Sequence, residues 1–285
     1  MHRHRYFDLY LHDDDELASL LRSPILERVT LHEWPLSCVQ RLMTFNGRKV
    51  IYKTQFGPTV ESEFYANARS PLLVSAETIY RANGHACMLI EFVEAPLLEE
   101  LDLSGQKAVQ MGRAIMEEMR GIAGALPYYV DVSTKQQWVK FARDTLKTLG
   151  ELVDQARLNL VDRGTIRSLE RWACSDAVLS AVRKDPGYVH GDFGGDNVLV
   201  LPDGYRVIDW QRPKLGPTDL DLATLLESLD FDPSGYVDQA VVGVMYFLRI
   251  QWATQCAVRW IPEGIRGYDE GIARLAALIG DLAKP

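Results

Sequence analysis

The sequence predicts an α+β fold, β-rich at its N-terminal end and mainly helical afterwards. Three observations carry this prediction. Short β-rich runs crowd the first hundred residues, helical periodicity takes over after about residue 95, and a single hairpin signal interrupts the helical part. The chain's 285 residues suffice for one large domain or two lobes. With 47% hydrophobic and 25% charged residues, it has the balance of a chain with a sizeable core, not of a disordered one.

The β-rich part begins with Val39 to Phe45 and Lys49 to Lys53. They are joined by Asn46-Gly47, a hairpin signal because both residues tolerate positive φ. A helix over about Val60 to Arg69 stops before Pro71, and a third strand follows from Ala86 to Val93. Ser104 is placed to cap a helix running to about Ala125, ended by Pro127. Thr134 opens a longer one to about Leu158, with Trp138, Phe141, Leu146, Leu149, Leu152 and Val153 at helical spacing, and Asp162 caps a third through Ile166, Leu169 and Trp172. From Thr218 onward the pattern is helical again, broken at Pro233 and Pro262.

Charge and composition narrow the function. Lys and Arg total 31 against 39 Asp and Glu, a formal charge of −8, which disfavours nonspecific nucleic-acid binding and points, if anywhere, to a cationic partner. The imbalance is uneven: residues 1–100 carry −4, residues 101–185 carry +2 and residues 186–285 carry −6. Cys38, Cys87, Cys174 and Cys256 lie far apart without CxxC spacing and read as thiols in a reducing compartment. No apolar leader follows Met1, and the longest apolar stretch, Ala240 to Leu248, is far short of the roughly 20 residues that cross a bilayer. A soluble cytoplasmic protein is expected, with no membrane and no nucleic-acid partner.

The chemistry concentrates in His190-Gly191-Asp192-Phe193-Gly194-Gly195-Asp196-Asn197 and in Ile208-Asp209-Trp210. Between them, Asn197 to Leu201 and Tyr205 to Asp209 flank Pro202-Asp203-Gly204, a tight-turn sequence. Antiparallel pairing sets Asn197 beside Asp209, where two oxygen donors can share a hard divalent cation such as Mg²⁺. Asp192, just upstream, is the candidate to accept a proton from an attacking hydroxyl. Metal ligands, an orienting base and a phosphate clamp are the parts phosphoryl transfer requires.

His190-Gly191-Asp192, Asn197 and Ile208-Asp209-Trp210 in this order resemble the aminoglycoside phosphotransferase and choline kinase-like superfamily. Gly216-Pro217-Thr218-Asp219-Leu220-Asp221-Leu222-Ala223 resembles that superfamily's G-x-P-x-x-D-L-A segment. Val50-Ile51-Tyr52-Lys53 resembles its lysine strand, and Glu61-Ser62-Glu63-Phe64-Tyr65 its glutamate helix. The resemblance spans about Trp34 to Leu226. It implies a bilobal protein-kinase-like fold, with an N-lobe at 1–94, a hinge near 91–95 and a catalytic C-lobe at 95–285.

It also implies roles. Asp192 is the catalytic Asp, with His190 bracing its loop, and Asn197 and Asp209 hold Mg²⁺ against the ATP phosphates. Lys53 contacts the α- and β-phosphates and is held by Glu61, while Glu91, Phe92 and Val93 form the adenine hinge. Asp221 anchors the catalytic loop. Two features depart from the pattern. Glu33 to Val39, before the first strand, contains no glycine, so Ser37 is left to face the phosphates, and GTP stays open beside ATP. Glu63 competes with Glu61 for Lys53, although the two lie about 200° apart on a helix.

The expected activity is ATP-dependent transfer of the γ-phosphate to a small-molecule hydroxyl. The acceptor envisaged is an aminoglycoside or related cationic antibiotic, which would make the role one of resistance. The alternatives are a kinase of an amino alcohol, homoserine or sugar, or an inactive nucleotide-binding pseudokinase. Glu227, Asp230, Asp232 and Glu263 are the candidates for an acidic acceptor pocket. Only eleven residues separate Asp209 from Asp221, too few for a regulated activation loop, so a protein substrate is disfavoured. A metallophosphoesterase fails because its motif order is reversed and the chain has only six histidines, and a dinucleotide-binding fold fails for lack of a GxGxxG after a strand.

Overall fold

In the computed structural model, which describes residues 1–284, alternating side chains build a five-stranded antiparallel sheet in the first part of the chain. Its strands β1 (Ile25–Trp34), β2 (Ser37–Thr44), β3 (Lys49–Phe56), β4 (Ala76–Ala82) and β5 (His85–Glu91) lie in the order β1-β2-β3-β5-β4. Asn46-Gly47 turns β2 into β3, with Gly47 at φ 80° and Thr44 Oγ1 donating to Asn46 Oδ1 at 2.6 Å. The register pairs Val39 with Lys53 and Lys53 with Met88. One face of the sheet therefore carries Cys38, Leu42, Val50, Tyr52, Cys87 and Leu89, packed with Leu9, Leu11, Leu17 and Leu21 into a core cluster. The other face carries Ser37, Val39, Ile51, Lys53, Gln55, Ala86 and Met88.

Two N-terminal features complete this sheet. Helix α1 (Asp14–Leu21) supplies Leu17 and Leu21 to the core. The acidic run at its start is a capping box, with Glu16 N–H donating to Asp13 Oδ1 and Asp13 N–H donating to Glu16 Oε2, both at 2.9 Å. Helix α2 (Glu61–Asn67) follows β3 and contributes Glu61, Phe64 and Tyr65 as buried residues.

Contacts divide the chain into two units. The first contains residues 1–100, 121–129 and 196–212. The hairpin Val198–Leu201/Gly204–Val207 belongs to this first unit. Val207 N–H donates to Leu72 O and Val200 N–H donates to Pro96 O, each at 2.9 Å, and Trp210 stacks on Phe64 with ring centroids 4.4 Å apart. Those bonds are what draw the segment back to the N-terminal sheet.

The second unit is mainly helical. Its larger helices are α3 (Gly105–Arg120), α4 (Lys135–Asp154), α5 (Arg163–Ala173), α6 (Asp176–Ala181), α7 (Asp219–Ser228), α8 (Gln239–Gln255) and α9 (Ile265–Leu282). The predicted caps are in place: Thr134 Oγ1 accepts from Gln137 N–H at 3.2 Å and Asp162 Oδ1 from Thr165 N–H at 2.7 Å. Trp138, fully buried, donates its indole N–H to Ala173 O at 2.8 Å and packs against Trp172 and Phe247. A short sheet sets Lys214–Pro217 between Val130–Asp131 and Pro186–Val189. Among the described residues no helix is long and apolar enough to cross a membrane.

Candidate active site

Strand alternation turns Lys53 onto the face of the sheet opposite the apolar cluster, where α2 presents Glu61. The Lys53 ammonium lies 2.7 Å from Glu61 Oε2 and also pairs with Asp209 Oδ1. Lys53 and Glu61 are only 4% and 1% exposed, so this is a buried ion pair, costly unless fully paired. Burial alone would lower the lysine pKa, but the Asp209 and Glu61 carboxylates outweigh it and hold the ammonium above its ordinary value. Burial lifts the Glu61 carboxyl to about 7 against the pull of Lys53, and the Asp209 charge adds to the rise. Glu63, the competing carboxylate, faces away and pairs with Arg81 at 3.5 Å.

The hairpin brings Asp209 and Asn197 to one end. The register Val198↔Val207 continues one step further, with Ile208 N–H donating to Asn197 O at 3.0 Å, which sets the two donor residues at the same end. Asp209 adopts a left-handed φ of 67°, uncommon outside glycine though more readily tolerated by Asp than by most residues. Its carboxylate also accepts from Gln211 Nε2 at 2.8 Å. An amide oxygen and a carboxylate are the hard donors Mg²⁺ prefers, and the Lys53 ammonium already shows a cation accepted at Asp209.

The motif residues of the second unit are held by Asp221. Its buried carboxylate accepts His190 N–H at 2.7 Å and Gly191 N–H at 2.9 Å, from the first turn of α7. Burial raises its pKa, opposed by His190 and by those two N–H groups. Lys214 Nζ donates to Gly191 O at 2.7 Å. His190 is fully buried, and its Nδ1 accepts the Asp192 N–H at 3.3 Å, while the Asp192 residue itself is exposed. Asp221→Ala would leave two buried N–H groups without acceptors, about 1–3 kcal/mol each. A drop of several degrees in the thermal midpoint is expected. A midpoint equal to wild type would show that Asp221 is no anchor.

The remaining candidates lie on other elements. Ser37 is buried at the start of β2, and its Oγ accepts from Trp34 Nε1 at 2.6 Å across a tight Pro35-Leu36 turn. At the end of β5, Glu91 N–H donates to Ser75 O at 2.8 Å, and the Glu91 carboxylate accepts Ser75 N–H at 3.0 Å. Phe92 lies under the Lys49 ammonium, 5.2 Å from ring centroid to nitrogen, and Val93 is half-buried beside it. Of the acidic acceptor candidates, Glu227 pairs with Arg249, and Asp232 caps Ser234 N–H at 2.9 Å. Asp230 is exposed at φ 60°, and Glu263 is exposed in the turn before α9. Gln55, part of no motif in the sequence, shares the Lys53 face.

Several solved structures share this fold. A choline/ethanolamine kinase family protein from Mesorhizobium loti aligns with a TM-score of 0.59 at 16% identity, covering 95% of this chain and 95% of that one. Spectinomycin phosphotransferase APH(9)-Ia, solved with ADP and spectinomycin, gives 0.57 at 12%, covering 96% and 99%. Macrolide 2′-phosphotransferase MphH from Brachybacterium faecium gives 0.55 at 13%, covering 92% and 95%. At these identities the likeness defines the fold, an α+β fold of the kinase-like kind. No curated protein sequence matches the chain significantly. The family model of the phosphotransferase enzyme family matches residues 63–278, most of the chain, and the protein belongs to that family. The match includes Asp192, Asn197, Asp209 and Asp221 but begins after Ser37, Lys53 and Glu61.

Proposed function

We propose that the protein is an ATP-dependent phosphotransferase that moves the γ-phosphate to a hydroxyl of a small molecule, an aminoglycoside or related cationic antibiotic being the acceptor class. The observation that carries the proposal is the buried Lys53 ammonium, bound to both Glu61 and Asp209, with Asp209 next to Ile208, whose N–H bonds Asn197 O at one end of the hairpin. A pure nucleotide-binding module needs no general base such as Asp192.

In this scheme Lys53 holds the α- and β-phosphates, and Glu61 fixes the lysine. Asn197 and Asp209 would hold Mg²⁺, which when bound supplies charge neutralisation on the phosphates. Asp192, assigned by its His190-Gly191-Asp192 motif, orients the acceptor hydroxyl and takes its proton as the oxygen–phosphorus bond forms. Asp221 and His190 keep that loop rigid, which lowers the reorganisation needed to reach the in-line geometry.

The acidic balance of residues 186–285 supports a cationic acceptor, although Glu227 and Asp232 spend their charge on Arg249 and a helix cap. The test is a panel of aminoglycosides, macrolides, amino alcohols, homoserine and sugars, assayed for acceptor-dependent ADP release with Mg-ATP. Turnover confined to cationic, hydroxyl-bearing antibiotics is the expected result. Turnover with a neutral sugar or homoserine alone would overturn the acceptor class. Tight nucleotide binding with no turnover on any acceptor would mark a pseudokinase.

A further inference from the structure

The phosphate-facing turn is the least kinase-like part of the molecule. Pro35 has no N–H and the turn contains no glycine, so Trp34-Pro35-Leu36-Ser37 cannot offer the run of backbone donors that a glycine-rich loop presents. Beneath that turn lies an anomaly of the opposite kind. Gln55 is only 1% exposed, yet no protein group hydrogen-bonds either its amide nitrogen or its amide oxygen. A buried amide left unsatisfied at both ends is a cost that native folds rarely tolerate without a purpose.

Its position suggests the purpose. Gln55 is two residues beyond Lys53 on β3, so the two side chains share a face about 7 Å apart along the strand. In the register it lies directly between Ser37 on β2 and Ala86 on β5. The Ser37 hydroxyl, already an acceptor for Trp34, keeps its own proton to donate. Lys53, at 4% exposed, is nearly as buried as Gln55 and lies on the same face of the sheet.

We propose that Gln55 is a phosphate-binding residue, its side-chain amide N–H serving the nucleotide's phosphate chain together with the Ser37 hydroxyl in place of the missing glycine-rich backbone cradle. The inference rests on the nucleotide use proposed above. Two side-chain donors flanking the turn replace donors that the turn itself cannot present. The amide is held on a rigid strand between two neighbouring strands, so it is preorganised for an anion and needs no loop closure to be positioned.

The test uses the full-length protein and the substitution Gln55→Met, which keeps the volume and deletes both polar ends. Binding of adenosine, ADP and ATP is measured by calorimetry, with thermal midpoints of the ligand-free proteins. ADP and ATP affinity is expected to fall roughly 10-fold, the worth of a hydrogen bond to a charged group, with adenosine unchanged and the ligand-free midpoint no lower than wild type. In wild type, the Gln55 side-chain amide resonances are expected to shift with ADP and not with adenosine, a readout that does not depend on how the variant folds. Unchanged ADP and ATP affinity, equal losses for adenosine and ADP, or unmoved amide resonances would each overturn the assignment. Wild-type protein that binds no nucleotide removes the proposed function itself, a result distinct from all three.

Discussion

Asp192→Ala is expected to lower turnover by roughly 10²- to 10⁴-fold, the usual worth of a positioned general base. The nucleotide dissociation constant should be unchanged, because Asp192 is assigned to the hydroxyl and not to the phosphates. The fold should also survive. Asp192 is exposed, and its backbone N–H, which donates to His190 Nδ1 at 3.3 Å, is retained in alanine. A thermal midpoint equal to wild type with turnover lost is therefore the expected pair of results. Turnover within a few-fold of wild type would remove Asp192 from the chemistry.

Asp209→Ala should be at least as damaging, for a different reason. The substitution deletes a carboxylate that pairs with Lys53 and would ligate the cation beside Asn197. Charge stabilisation by a metal is worth several kcal/mol, so a loss on the order of 10³-fold or more is expected. Binding gives an independent measurement. Wild type should gain more thermal stability from Mg-ADP than from ADP with a chelator, since a ligand held only by the folded state stabilises by mass action. The variant should show no difference between the two. A Mg²⁺-dependent increment that persists in Asp209→Ala would move the metal away from this residue.

Legibility in the sequence followed the range of the interaction. Thr134 and Asp162 were visible as caps because a cap acts over three residues, and Asn46-Gly47 and Pro202-Asp203-Gly204 marked their hairpins because a turn is equally local. The order His190, Asp192, Asn197, Asp209, Asp221 could be read because the chemistry constrains the residue types. Strand β1 has no clear period because Ile25–Trp34 is an edge, bonded on one side only, and its exposed glutamates and half-buried arginine blur the alternation. Helix α1 has no clear signal either, its capping box at Asp13 and Glu16 being hidden inside an acidic run. The sheet joining Val130–Asp131, Pro186–Val189 and Lys214–Pro217 had no local signal at all, since its strands are too short to show a period.

At the site, the choice between Glu61 and Glu63 needed coordinates, because helical spacing separates the two without saying which one faces the lysine. Gln55 was beyond reach for a further reason. A glutamine in a strand is unremarkable until its burial and its missing partners are known. The acidic acceptor candidates illustrate the converse, a clustering of charge in sequence that local pairing with Arg249 and Ser234 partly consumes.

The hairpin that returns residues 196–212 to the first unit has a consequence for how the protein is made. During synthesis the N-terminal sheet emerges long before Val200 and Val207, whose N–H groups bond to Pro96 and Leu72, and before Trp210, which stacks on Phe64. The Lys53 ammonium likewise waits for Asp209, 156 residues downstream. The first unit therefore cannot finish folding as it leaves the ribosome, and a fragment ending near residue 100 lacks a part of its own unit. The electrostatic assembly proposed for the reaction thus cannot form until Asp209 has been made, and a product terminated before that point would carry no partner from the hairpin for its lysine.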